Sequence, residues 1–220
     1  IIYLDNHIFA VNKPSGILTQ GDKTGDQSLL ELAKAYLKKK FSKKGKVFLG
    51  LVHRLDRPTS GVVCFARTSK AAARLSAGMR DRSTRKEYLV VVEGHLDRSS
   101  GKLTNDLWQP DLSKNVVKVL SGRSNDTEKQ EAQQAVLDQK IATKKAILHF
   151  ERLGIFGDQT ILRVQLISGR KHQIRVQLAS LGHPIVGDAK YGARRGSGPL
   201  PGRAIALHAL RMRFRHPVLR

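Results

Sequence analysis

The chain has 220 residues, 40% of them hydrophobic, which is enough to bury a real core and leaves room for one large domain or two small ones. Its 40 lysines and arginines against 18 acids give a net charge of +22, so a polyanionic partner is expected. Nucleic acid leads over an anionic membrane, because no apolar run reaches membrane length, and the single cysteine excludes a disulfide within the chain and fits a reducing compartment.

In chain order, Ile8 to Val11 predicts a strand that ends in the turn Lys13-Pro14-Ser15-Gly16, followed by a polar loop over Gly21 to Gln27. A helix follows, since Ser28 and Glu31 match a capping box and Leu29, Leu32, Ala33, Tyr36 and Leu37 make an apolar stripe. The cluster Lys38 to Lys40 then suits the negative end of the helix dipole, either solvated or facing RNA. Gly61 to Ala66 reads as a short buried strand carrying Cys64 as a small hydrophobe. Ser69 is placed to cap a second helix through Arg80, and Lys86 to Gly94 predicts a strand around Tyr88.

Beyond these, Ser121 to Lys145 is polar and rich in Gln, Lys and Glu, which predicts a peripheral insertion. Two strands, Ala146 to Leu153 and Ile161 to Ile167, flank Gly157-Asp158 and predict a hairpin. Gly169 is expected to open a helix across Arg170 to Leu181, with Ile174, Leu178 and Leu181 on one face and His172 and Arg175 sharing another. A Gly/Pro-rich connection over Gly182 to Gly202 leads to the apolar Ala204 to Leu210. No internal repeat or separate second domain stands out, so one domain over 1–220 is the expectation. The chain begins at Ile1 without a methionine, which leaves room for an upstream targeting or accessory segment.

The loop before the third of these elements concentrates chemistry: "LVHRLDRPTSGVVCFART", Leu51 to Thr68, sets one acid, Asp56, among one histidine and three arginines. An arbitrary loop aspartate between Arg54 and Arg57 is a surface ion pair of little consequence. A hydrolase reading of His53 and Asp56 lacks an activated nucleophile on an elbow, and a kinase reading of the HRLD string lacks a phosphate loop and a DFG segment. His53, His172, His183 and Asp188 lack the paired spacing of a metal motif, so no metal site is expected.

HRLDRPTSG at His53 to Gly61 resembles the signature loop of the RluA-type pseudouridine synthases. VNKPSGI at Val11 to Ile17, KEYLVVVEG at Lys86 to Gly94, SGRKHQIRVQ at Ser168 to Gln177 and GHPIVGDAKYG at Gly182 to Gly192 resemble the family's other motifs in the same order. The departures are Gln177, where many relatives carry histidine, and the length of the polar insertion at 121–145.

The resemblance implies an α+β fold with a bent, mixed, mainly antiparallel sheet, flanking helices, a central RNA-binding cleft and no cofactor. It implies isomerisation of a uridine already in RNA, with Asp56 as the carboxylate at the anomeric carbon, Arg175 as the cation pairing with it, and Tyr88 stacking on uracil and moving the C5 proton. Asp56 and Arg175 must then meet in space. Arg54 corresponds to the residue filling the gap left by a flipped base, and Leu207 to the apolar residue beneath the uracil ring. Arg57, Lys13, Arg170 and His172 complete the expected RNA-contacting set, Lys13 by shaping the cleft wall, while Lys190 and Tyr191 are expected to hold the fold.

The family often carries an N-terminal S4-like RNA-binding module, and no such module is expected within these 220 residues, so target selection is expected to use other surfaces or residues outside them. The expected partner is RNA, ribosomal RNA or a pre-ribosomal particle ahead of transfer or messenger RNA, in the company of ribosome-assembly proteins and without a membrane. A ribosome-assembly factor that binds rRNA through the same fold with little catalysis is the rival reading, which +22 suits equally. Basicity and the trimmed start favour a mitochondrial location over a bacterial cytoplasm.

Overall fold

A computed structural model describes residues 1–110, 115–120, 130, 134, 142–194 and 204–218. Most of the expected insertion at 121–145, and part of the Gly/Pro-rich connection, lie outside the described residues. The chain divides into two compact units, the first formed by Ile1–Lys86, Pro201–Ala204 and His208–Arg220, the second by Glu87–Leu200 and Ile205–Leu207. No described helix is long and apolar enough to cross a membrane.

In the first unit, β1 (Tyr3–Leu4), β2 (Ile8–Lys13), β3 (Gly50–Leu51) and β4 (Ser60–Ala66) pair antiparallel, β2 lying along β4 from Ile8↔Ala66 to Lys13↔Gly61. The final strand, β10 (Leu207–Arg213), runs parallel to β4 through His208↔Ser60 and Ala209↔Gly61. Helix α1 (Leu29–Lys40) starts where the sequence places it: the Ser28 hydroxyl accepts from the Glu31 N–H, and the Glu31 carboxylate accepts from the Ser28 N–H at 2.8 Å. Leu29, Ala33 and Leu37 bury its inner face, whereas Leu32 and Tyr36 at the stripe's edge stay exposed. Helix α2 (Ser69–Arg80) is capped by Thr68 rather than the expected Ser69, because Thr68 keeps extended backbone angles and its hydroxyl accepts from the Ala71 N–H. Ala71 and Leu75 of α2 pack with Ile8 and Ala66 in the core of this unit.

The second unit holds β5 (Arg85–Glu93, from Glu87 onward), β6 (Ser100–Trp108), β7 (Lys118–Val119), β8 (Lys144–Phe156) and β9 (Gln159–Leu166), in the order β5-β9-β8-β6-β7. The β8–β9 hairpin is longer than its apolar run suggests, and it turns at Gly157-Asp158 as expected, with Gly157 at φ 56. From Lys145 to Phe150 every second residue is buried, and Ala146, Leu148 and Phe150 face the core. Helix α3 (Gln173–Ser180) packs Val176 against Leu107, Val117, Val119 and Ala146. The units are thus α+β, with mainly antiparallel pairing beside the parallel β4–β10 pair, and helices flank the strands.

Candidate active site

The sequence-predicted residues divide between the units: Lys13, Arg54, Asp56 and Arg57 in the first, Tyr88, Arg170, His172, Arg175 and Leu207 in the second.

The Asp56 loop leaves β3 and enters β4, and its backbone is fastened from inside. Buried Thr19 donates its hydroxyl to the Leu55 carbonyl at 2.8 Å and accepts from the Leu55 N–H at 3.2 Å. The Thr59 N–H closes a turn onto the Asp56 carbonyl at 3.0 Å. Lys13 is fully buried, and its ammonium donates to the carbonyls of Pro14, Ile17 and Arg57 at 3.0, 2.7 and 3.1 Å. All three of its protons are therefore committed to main-chain oxygens. Lys13 accordingly does not reach a phosphate, which corrects its place in the RNA-contacting set: it joins the 14–17 turn to the Asp56 loop. Burial lowers its pKa to about 8, against the attraction of the nearby Asp56 carboxylate.

Arg57 adds a second tie between the same segments. Its Nε donates to the Gly16 carbonyl at 2.9 Å, its own carbonyl accepts from the Gly16 N–H at 2.8 Å, and its guanidinium reaches Asp26 at 2.7 Å. That ion pair is half exposed and contributes little by itself. Arg54, by contrast, is exposed.

Below the loop, the His53 ring accepts the Cys64 N–H at Nε2, 3.0 Å away, which requires a neutral imidazole protonated on Nδ1. Desolvation, helped by the Lys86 charge, lowers the His53 pKa to about 4, so the acceptor form persists at neutral pH. Burial raises the Cys64 thiol to about 11, consistent with an inert hydrophobe. At the end of the loop Gly61 has φ +115, and a Cβ there would lie 2.3 Å from the Ala209 carbonyl oxygen. Only glycine lets β10 approach β4 so closely at this point.

In the second unit, Tyr88 lies buried on β5 and Leu207 is buried at the start of β10. Arg175, on α3, places Nε 2.7 Å from Asp188 Oδ2 and a terminal nitrogen 2.8 Å from Asp188 Oδ1, a bidentate fork with both side chains buried. Its guanidinium carbon lies 5.0 Å from the centre of the Tyr191 ring. Asp188, weighed in the sequence only as an unconvincing metal ligand, is the residue that sequence reasoning missed; its partner lies 13 positions upstream, and no local pattern encodes that distance.

His172 differs from expectation in two ways. Helix α3 begins at Gln173 rather than near Gly169, and His172 precedes it with left-handed backbone angles, φ 53 and ψ 19, so it shares no helix face with Arg175. It is also buried, with Nδ1 2.7 Å from the Tyr191 hydroxyl, which further accepts from the Val117 N–H at 3.1 Å. His172 therefore shapes the entry to α3 and is not an RNA-facing side chain. The late helix start has a local cause: the Gln173 amide oxygen accepts from Ser168 Oγ and the Arg170 N–H, which holds 168–170 in a loop. Arg170 is exposed, with Nε donating to the Lys145 carbonyl at 3.1 Å. Gln177 is fully buried and donates to Asn105 Oδ1 at 2.7 Å. Among the described residues no group of three or more His, Cys, Asp or Glu side chains could hold a metal ion.

The family model for RNA pseudouridylate synthase matches residues 7–180. The dual-specificity RNA pseudouridine synthase RluA of Haemophilus influenzae is 32% identical over 99% of this chain and 87% of its own length. An uncharacterized RNA pseudouridine synthase of Bacillus subtilis, YhcT, is 33% identical over 99% of this chain and 64% of its own length. The ribosomal large subunit pseudouridine synthase C of Vibrio parahaemolyticus is 32% identical, and the chain spans 61% of it. In fold, the chain is similar to human RNA pseudouridylate synthase domain containing 1, with a TM-score of 0.72 at 22% identity over 97% of this chain and 77% of that one.

Proposed function

Because the chain belongs to the RNA pseudouridylate synthase family, we propose that it isomerises a uridine within RNA to pseudouridine, with ribosomal RNA as the substrate class. The observation that carries this reading is the match to a dual-specificity RNA pseudouridine synthase along 99% of the chain, through a segment that retains the carboxylate-bearing HRLDRPTSG loop.

The reaction breaks the bond from uracil N1 to the ribose C1′ and forms one from C5 to the same carbon. The C5 hydrogen leaves as a proton and N1 takes one up, so the atoms balance without a cofactor or second substrate. Asp56 supplies the carboxylate, either attacking C1′ or removing a sugar proton and stabilising the positive charge that develops. Arg175 is the motif's cation in this reading, and its buried fork on Asp188 fixes the guanidinium in one orientation. Tyr88 offers a ring to stack on uracil and a phenol to move the C5 proton. Arg54, exposed on the Asp56 loop, takes the place of the extruded base, and Leu207 packs beneath the uracil ring.

Pseudouridine mapping in total RNA, with and without the gene, tests the function and names the target. One or more ribosomal RNA uridines should lose modification in the deletion and regain it on complementation. Identical maps from both strains would count against the function, and changes confined to transfer RNA would overturn the substrate class.

A further inference from the structure

Residues 34–46 hold seven lysines and no acid, a charge of +7 in thirteen residues of a chain whose total is +22. No acidic side chain occurs anywhere from Leu32 to Leu55. The chain folds this charge back on itself: at the end of α1 the Phe41 N–H bonds the Leu37 carbonyl at 3.1 Å and the Lys43 N–H bonds the Lys38 carbonyl at 3.0 Å, while Ser42 turns with φ 47. That reversal lays the 44–47 loop beside the helix and makes a shallow groove lined by Lys34 and Lys38 from α1 and Lys44, Lys46 and Val47 from the loop.

Lys34 and Lys38 are spaced i, i+4, so their ammonium groups lie on one face of the helix and a phosphate between them would relieve their mutual repulsion. The residue type narrows that partner. Every cation between Leu32 and His53 is a lysine, a compact point charge with no planar fork, which suits phosphate contact without base reading.

We propose that this groove docks the sugar–phosphate backbone of the substrate RNA, outside the segment that carries the target uridine; the inference rests on the functional reading above. Helix α1 sets the spacing. Its first turn is tied to the segment that holds the Asp56 loop, since the Leu30 N–H bonds the Thr19 carbonyl at 3.2 Å and the Thr19 hydroxyl bonds Leu55. At 1.5 Å per residue, the groove's helix lysines Lys34 and Lys38 then lie roughly 8 and 14 Å along the helix from Leu29. Lysines placed there meet phosphates of the RNA flanking the target uridine and read no base.

The test compares the wild type with Lys38→Gln/Lys44→Gln/Lys46→Gln, and with the matching triple arginine variant, on a long stem-loop RNA and on its isolated loop. For the stem-loop, the glutamine variant should bind at least tenfold more weakly, with a log–log salt slope shallower by about 2 to 3, as expected for three lost phosphate contacts. The arginine variant should restore both. Affinity for the isolated loop should not change, and turnover of saturating stem-loop should be preserved. An unchanged slope in a folded glutamine variant, or equal weakening on the isolated loop, overturns the proposal. So does tighter binding of the wild type to phosphatidylserine vesicles than to the stem-loop. Binding reads the groove without turnover, so an RNA that is bound but never isomerised would defeat the functional reading and leave the groove standing.

Discussion

Arg175 grips Asp188 through two hydrogen bonds of 2.7 and 2.8 Å, and both side chains are almost entirely removed from solvent. Asp188 is itself fixed by backbone, its carbonyl accepting from the N–H groups of Tyr191 and Ala193. The pair therefore passes the rigidity of the 185–193 turn to the guanidinium. Breaking one side of a buried pair leaves an uncompensated charge, so Asp188→Asn should lower unfolding free energy by about 3–5 kcal/mol in urea titrations. The double variant Arg175→Leu/Asp188→Leu should be less unstable than Asp188→Asn, yet inactive. A double variant as unstable as the single one would mean the fork contributes packing and no electrostatic constraint.

Gly61→Ala should destabilise the first unit by on the order of 3 kcal/mol, because the new Cβ must displace Ala209 backbone and tolerate φ +115. Chemical denaturation measures this directly. Gly16→Ala is the control: its φ is also positive, at +86, but nothing lies within 4 Å of a Cβ there, so its cost should be clearly smaller.

The contrast between these glycines shows what the sequence made legible and what it did not. Periodicity and capping located α1, α2 and the β8–β9 hairpin, since those signals are local and physical: the Ser28–Glu31 box, the Leu29–Ala33–Leu37 stripe and the Gly157-Asp158 turn. The boundaries moved where side chains compete for backbone. Thr68 displaced Ser69 as cap, and the Gln173 amide held Ser168 and Arg170 out of the helix. The motif residues of the candidate site came from family resemblance, whereas the partners that support them did not. Asp188, the Thr19–Leu55 exchange and the three carbonyls around Lys13 are contacts set by the fold, and the identity of a lysine in a turn says nothing of whether it faces water or the interior.

Stability should carry the signature of His53. Its folded pKa, about 4, lies below the ordinary 6.5, so the unfolded chain binds the extra proton first as pH falls. The contribution is fully present above pH 6.5 and is lost as pH drops towards 4, by up to roughly 3 kcal/mol. His53→Gln, which keeps an acceptor for the Cys64 N–H, should flatten the stability profile in that window. Parallel profiles for the two proteins would show that His53 is not the titrating group.

Tyr88→Phe should fold normally and bind RNA but turn over poorly, as it keeps the ring and loses only the hydroxyl. Tyr88→Ala should lose both, with about 3–5 kcal/mol of stability lost at this buried site. Single-turnover assays beside thermal melts separate the effects. Near-normal turnover by Tyr88→Phe would return this residue to the core.

The central claim is that Asp56 drives exchange of the C5–H bond of uridine for a bond to C1′. RNA carrying tritium at uracil C5 reads this step alone, because each isomerisation releases one tritium to water. The wild type should release tritium from ribosomal RNA. Asp56→Asn, which keeps the shape of the side chain and removes its charge, should release none while binding the same RNA with nearly unchanged affinity. Tritium release by folded Asp56→Asn at the wild-type rate would contradict the role of this carboxylate.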